Sequence, residues 1–162
     1  MNFDDIQDDS DIFSLLMYGY VPKKAGRGKP VEKPVRVYRI ELPNGNGPFN
    51  SDLPNAHEIY EEISKPEPGF DCSHLARLNH EQMGVTEEEF QEAHGPAAYA
   101  CEDLKALRKW FPDPARDYLA QYGARVVVYE VPAGAHLAKI GHGEVLIARN
   151  ECRRVETLDL KA

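Results

Sequence analysis

We predict an α+β fold in which a mostly antiparallel sheet is flanked by short helices. Three observations in the 162-residue sequence point to it. A strand pattern comes early at 35–42, a small-residue strand at 97–101 runs into two short helical patterns, and several short strands separated by glycine turns occupy 124–160. Strands joined by tight turns pair antiparallel, so most of the sheet is expected to be antiparallel.

The first strand, VRVYRIEL at 35–42, alternates its side chains between two faces. Val37 and Arg39 belong to one face, and Tyr38 and Ile40 belong to the other. A loop rich in Asn, Gly and Pro follows and ends the strand.

The next stretch, from about 55 to 95, is predicted to be a helical insertion. Asn55 with Glu58, and Thr86 with Glu89, have the spacing of a capping box at a helix start. Because the stretch is acidic and short of apolar residues, we expect it to cover the core rather than build it. We therefore predict one domain over 35–162 with this insertion.

The C-terminal half carries the clearest periodic patterns. A helix is predicted over 102–111, where apolar residues recur at i, i+3 and i+7, and a second over 115–122, which ends at Gly123. Four strands follow at 124–131, 135–140, 144–149 and 153–160. The first contains VVVY and is expected to be central, and the last is expected to be an edge.

Residues 1–34 are predicted to be an appendage to this domain. An acidic start leads into a short helix capped by Ser10, and VPKKAGRGKPVEKP follows as a basic linker rich in Pro, Gly and Lys.

Composition narrows the class of protein. The net charge of −8 argues against strong nucleic-acid binding, because that needs a basic face on the protein. An acidic surface would instead favour binding to a basic partner. Cys72, Cys101 and Cys152 are an odd number without framework spacing, so we expect reduced thiols and a cytoplasmic protein. The apolar run at 12–20 is too short to span a membrane.

Arg39 and the loop after it form the first candidate site. A strand arginine offers a planar fork to a phosphate or carboxylate, and Gly45 and Gly47, on either side of Asn46, would let backbone amides approach a ligand. The alternative is a plain hairpin turn with Arg39 on a solvated face.

Glu144 and His142 form the second candidate site. Glu144 begins an apolar strand, and His142 precedes it between two glycines. A carboxylate there can stabilise a developing cation or orient a hydroxyl. The alternative is a polar turn with a solvent-facing glutamate.

Tyr99 and Cys101 form the third candidate site, at a strand-to-helix junction where small residues leave room for a ligand. Cys101 with His142 as base is a further possibility, and a buried structural cysteine is the competing one. We expect no metal site, because Asp71, Cys72, His74, His80 and His94 match no common zinc spacing.

The order of VYR, YACEDLKALRKWF, RVVVYEV and HGEVLI resembles the ADP-ribosyltransferase family. The resemblance implies that Arg39 holds NAD, that Tyr99 and Cys101 shape the nicotinamide pocket, and that Glu144 is catalytic. Here cysteine replaces the family's hydroxyl residue, and His142 replaces its Glu or Gln. The YRIE and GNGP segments also resemble small bacteriophage proteins.

The resemblance implies an ADP-ribosyltransferase-like sheet, NAD as substrate, and transfer to a host macromolecule by a phage-encoded enzyme. The alternative is a non-enzymatic acidic inhibitor or interaction protein that binds a host protein. If Arg39, Tyr99 and Glu144 line one concave pocket, the enzyme is favoured. If they are scattered, the binding protein is favoured.

Overall fold

Seven antiparallel strands and three helices form the part of the chain that the computed structural model describes, residues 28–48 and 87–162 with residues 16, 17 and 53. The strands are β1 (Lys29–Pro30), β2 (Val35–Glu41), β3 (Ala97–Cys101), β4 (Arg125–Val131), β5 (His136–Gly141), β6 (Glu144–Ala148) and β7 (Arg153–Leu158). The helices are α1 (Glu87–His94), α2 (Leu104–Trp110) and α3 (Asp113–Ala120), and a 3₁₀ turn spans Arg149–Glu151.

The sheet has the order β1-β5-β6-β3-β2-β4-β7, and every neighbouring pair is antiparallel. The predicted α+β class with a mostly antiparallel sheet and short helices is confirmed. β4 is paired on both sides, and β7 is the edge strand that its position in the sequence predicted.

The register assigns side chains to the two faces of the sheet. Tyr38 pairs with Cys101, and Cys101 pairs with Glu144, so these three residues share one face, which we call the helix face. Arg39 pairs with Val127 and lies on the opposite face, which we call the far face.

All three helices pack on the helix face. Leu107 and Trp110 of α2 and Leu119 of α3 are buried in one cluster with Ile40 and Val126 of the sheet. Phe90 of α1 is fully buried in a second cluster with Leu146 and Ala148.

Local chemistry fixes the helix ends. The Asp103 carboxylate accepts a hydrogen bond of 2.7 Å from the Ala106 amide and caps α2. Pro114 lies in the first turn of α3, and Gly123 after it has φ of 78°. Both predicted helices are present, with limits one or two residues from those predicted, and Gly123 follows the second as expected, whereas the Asp103 cap was not predicted.

The sheet extends further toward the N-terminus than 35. Lys29 and Pro30 pair with Leu137 and His136, inside the segment predicted to be a linker. The predicted N-terminal helix, apart from the helical Leu16 and Met17, lies outside the described residues, and so does the predicted insertion up to residue 86. The last part of the insertion, at 87–94, is helical as predicted.

Candidate functional site

The far face carries a buried polar cluster around Arg39. The Glu41 carboxylate, 2% exposed, lies 2.7 Å from Nη2 of Arg149 and 3.9 Å from Nε of Arg39. The Tyr129 hydroxyl lies 2.9 and 2.8 Å from the two carboxylate oxygens. Arg149 also donates to the carbonyl of Gly45 at 3.1 Å, which ties the loop after β2 to the cluster.

Arg39 is held from three sides. Its Nη1 donates to the backbone carbonyl of Tyr99 at 2.8 Å, and Glu41, which pairs more closely with Arg149, offsets part of its charge. A Cβ added to Gly47 would lie 3.0 Å from its Nη2, so the loop closes directly over the guanidinium. Burial lowers the pKa of Arg39 below its usual range, and Glu41 opposes that change. This geometry is that of an internal ion cluster rather than a fork presented to a ligand.

The Asn-Gly-Asn-Gly loop is a turn closed on itself. The amide of Asn46 donates to the side-chain oxygen of Asn44 at 3.0 Å, and the backbone carbonyl of Asn46 accepts from the amide of Leu42 at 2.9 Å. Gly45 has φ of 85°, which favours glycine, and its amide also bonds to Leu42. The backbone groups of Asn46 proposed to approach a ligand are thus engaged in the turn.

Glu144 and Cys101 are neighbours on the helix face. They are register partners at the ends of β6 and β3. Among the described residues, Oε1 of Glu144 is buried without a hydrogen-bond partner, and burial raises the pKa of this carboxyl to about 8. Burial, followed by the charge of Glu144, also raises the pKa of the Cys101 thiol, which disfavours a thiolate nucleophile.

The Tyr99 side chain also belongs to the helix face. Its hydroxyl donates to Oε2 of Glu87 at the start of α1, at 3.2 Å. Its backbone carbonyl is the group that meets Arg39. Tyr99 therefore links the two regions through its main chain, while its ring stays with Glu144 on one face.

His142 lies in the exposed turn between β5 and β6. It has φ of 52°, and its carbonyl accepts a hydrogen bond of 3.0 Å from the indole of Trp110. The next residue, Gly143, lies so close to α2 that an added Cβ would be 2.5 Å from Cβ of Ala106. The glycines of this turn thus allow close packing against α2.

A depression of about 230 Å³ lies beside this turn and is lined by Glu102, Asp103, Lys105, Ala106, Lys109, His142 and Gly143. It is smaller than the 300 Å³ or more that is usual for a site that holds a sizeable organic ligand.

The predicted site residues therefore form two groups. Arg39 lies with Gly47 on the far face, and the Glu144 side chain lies with Cys101 and Tyr99 on the helix face. Arg39 and Glu144 are separated by the sheet and do not face each other across a cleft.

Sequence reasoning missed the partners of Arg39. Glu41 lies two residues after Arg39 in the same strand, so the alternation of side chains places both on one face of the sheet. That alternation could have identified Glu41 as a neighbour of Arg39. Tyr129 and Arg149 join it through strand register and a turn, which no short motif encodes.

The fold and cluster define a small α+β protein with an antiparallel sheet, covered on one face by helices. The family model described as "Bacteriophage T4 Y00F protein" matches residues 34–161, and the chain belongs to this family. The resemblance to small phage proteins is thereby confirmed at the level of a phage family. No curated protein and no solved structure matches the chain. Within the described residues, no helix has the length and apolar character needed to cross a membrane.

Proposed function

We propose that this chain is a phage-encoded interaction protein that binds a basic macromolecule of the bacterial host, without catalysing a reaction. The sheet serves as a scaffold in this proposal. The acidic parts of the chain outside it supply the attraction to the partner.

The distribution of charge carries the proposal. Residues 28–48 and 87–162 hold 14 Lys and Arg against 15 Asp and Glu, which is almost neutral. Residues 1–27 and 49–86 hold 5 against 12, so nearly the whole excess of −8 lies there. Clustered carboxylates attract a basic surface and speed its association, as complementary fields do at protein interfaces.

The separation of Arg39 from Glu144 supports binding over NAD turnover. A transferase of the resembled kind needs its NAD-holding arginine and its catalytic glutamate at one substrate. Here the arginine lies beside Glu41 on the far face, and the glutamate is on the helix face.

The proposal is tested by capturing partners from host lysate on the immobilised full chain and then measuring the affinity for the purified partner. We expect a basic protein whose affinity falls steeply with added salt. The variant Glu58→Gln/Glu61→Gln/Glu62→Gln removes three charges from the acidic segment and should weaken binding about tenfold, since an exposed ion pair contributes about 0.5 kcal/mol and three contribute about 1.4 kcal/mol.

A matched control removes the same charge from the scaffold. Glu88, Glu92 and Glu102 are exposed on the described domain, and their replacement by Gln should change affinity less than about threefold. Equal losses in both variants, or a partner whose affinity does not depend on salt, would contradict the proposal.

A second candidate function is NAD-dependent mono-ADP-ribosyl transfer, which one observation favours. Glu144 keeps a buried carboxylate oxygen without a hydrogen-bond partner among the described residues, at the start of a strand beside Cys101. In that mechanism the carboxylate hydrogen-bonds the ribose and favours an oxocarbenium-like transition state as nicotinamide leaves, while His142 orients the acceptor. Arg39, on the opposite face of the sheet, takes no part in holding the NAD in this version.

The two functions separate in one assay. The protein is incubated with labelled NAD and host lysate, and free nicotinamide and labelled macromolecules are measured. Binding without turnover gives neither product. Release that falls by orders of magnitude in Glu144→Gln, with the fold intact, would establish the enzyme instead.

A further inference from the structure

Three side chains from separate elements meet at one end of the sheet. They are His94 in the last turn of α1, His136 at the first position of β5, and Glu151 in the 3₁₀ turn before β7. One donor atom of each lies within 4.8 Å of the others, and all three residues are partly buried. They are 42 and 15 residues apart in sequence, so no short spacing motif reveals them.

The cluster is held in position by the backbone as well as by the side chains. Oε1 of Glu151 accepts from the amide of His136 at 3.0 Å and lies 3.0 Å from Nδ1 of the same residue. The imidazole of His94 stacks on that of His136, with centroids 3.8 Å apart and planes at 18°. The carboxylate and the two rings are therefore packed against one another before any ligand arrives.

Two imidazoles and one carboxylate are a donor set that suits divalent first-row transition metals, and it is one of the known ligand sets of zinc. In tetrahedral zinc sites the bonds are about 2.0 to 2.2 Å long, so ligand atoms lie about 3.4 Å apart. Donor atoms up to 4.8 Å apart reach that spacing once they close by about 1.4 Å and the two stacked rings turn so that both planes contain the metal. Three protein ligands and a water in the fourth position are the usual set of such a zinc site, and all three residues here are partly exposed.

We propose that His94, His136 and Glu151 bind a divalent first-row cation, with Zn²⁺ the best fit, and that the cation joins the end of α1 to the start of β5. The proposal stands independently of the function proposed above. The competing account is a hydrogen-bonded cluster that joins the same elements without a metal.

The test uses the full chain, treated with chelator and then dialysed, and titrated with ZnCl₂ in a calorimeter and with CoCl₂ in a spectrophotometer. We expect one equivalent of metal to bind, with visible Co²⁺ absorption of low-symmetry coordination. The melting temperature should rise by roughly 5 to 10 °C at a free metal concentration about 100 times Kd.

Variants locate the site. His94→Ala, His136→Ala and the conservative Glu151→Gln should each weaken binding at least tenfold. The control Cys72→Ser/His74→Ala/His80→Ala removes other potential zinc ligands of the chain and should bind as the wild type does.

Each outcome decides the question. No heat and no Co²⁺ absorption from the folded wild type overturns the proposal, whatever the variants do. Binding that survives Glu151→Gln and the histidine variants but is lost in the control triple also overturns it, because the metal then binds elsewhere.

Discussion

Replacing Glu144 by Gln should change how the stability of the protein depends on pH. The side chain has a buried oxygen with no hydrogen-bond partner among the described residues, so the fold disfavours its ionised form. Burial raises the pKa of the Glu144 carboxyl from its ordinary 4.5 to about 8. Glutamine keeps the shape of the side chain and cannot ionise.

The sign of the effect follows from the protons bound in each state. Between pH 4.5 and 8 the folded protein keeps the Glu144 proton and the unfolded chain loses it, so stability falls as pH rises. At 1.36 kcal/mol for each unit of pKa, this carboxyl lowers the free energy of unfolding by about 3.5 kcal/mol between pH 5 and pH 8. In Glu144→Gln that loss is absent.

The assay is urea unfolding of wild type and Glu144→Gln at several pH values from 5 to 8, with the difference between the two proteins as the quantity of interest. Taking the difference removes the contribution of the other carboxylates. The advantage of the variant should grow by about 3.5 kcal/mol over the range, or roughly 10 °C in melting temperature.

Glu102→Gln is the matched control, since Glu102 is an exposed carboxylate in the turn that follows Cys101. Its difference from wild type should stay constant within about 0.5 kcal/mol over the same pH range. A constant difference for Glu144→Gln as well would refute the reasoning, because the carboxylate would then be solvated or paired in the folded state.

Two further substitutions and one labelling experiment test the Glu41 cluster, the turn at Gly143 and the burial of Cys101. Glu41→Gln should lower the free energy of unfolding by about 3 kcal/mol or more, because Arg39 and Arg149 lose their buried counter-charge. The control Glu156→Gln breaks only an exposed pair with Arg36 and should lower it by less than about 1 kcal/mol. Similar losses for the two variants in urea unfolding would contradict the structural role of Glu41. Gly143→Ala should lower the free energy of unfolding by about 2 to 4 kcal/mol, since φ is 78° and the added Cβ would lie 2.5 Å from Cβ of Ala106. The control Gly134→Ala, with φ of 89° and no atom within 4 Å, should lower it by only about 1 kcal/mol. Equal shifts in melting temperature would show that the turn does not pack against α2. Cys101 should resist iodoacetamide at pH 8 in the folded protein and react in denaturant, as followed by peptide mass spectrometry; rapid alkylation of the folded protein would restore it as a nucleophile.

The strands were predictable where side-chain alternation or a run of β-formers marked them. β2 ends one residue before its predicted end, and β4 begins one residue after its predicted start. β1 was not predictable, because two residues that include a proline carry no period, and only pairing with β5 makes them a strand.

The candidate site was predictable only as a set of residue types. Alternation already assigned Arg39 and Tyr38 to opposite faces, but the sequence does not state which strands are neighbours. Tyr38 pairs with Cys101, and Cys101 pairs with Glu144, so Glu144 lies on the face of Tyr38. Both pairs join residues that are far apart in the sequence. Whether Arg39 and Glu144 lie on one face therefore depends on the order of the strands in the sheet, which local sequence patterns do not determine.

The pairing of β2 with β3 and β4 has a consequence for how the protein folds and varies. Tyr38 meets Cys101 and Val35 meets Val131, so the centre of the sheet closes long loops of chain and cannot form from hairpins alone. Such non-local pairing slows folding into the range of milliseconds to seconds. The entropic cost of closing a loop rises only about 0.6 kcal/mol for each doubling of its length, so the acidic chain between β2 and α1 can lengthen or shorten at little cost to the sheet. Natural relatives are therefore expected to differ in length between β2 and α1 far more than within the strands.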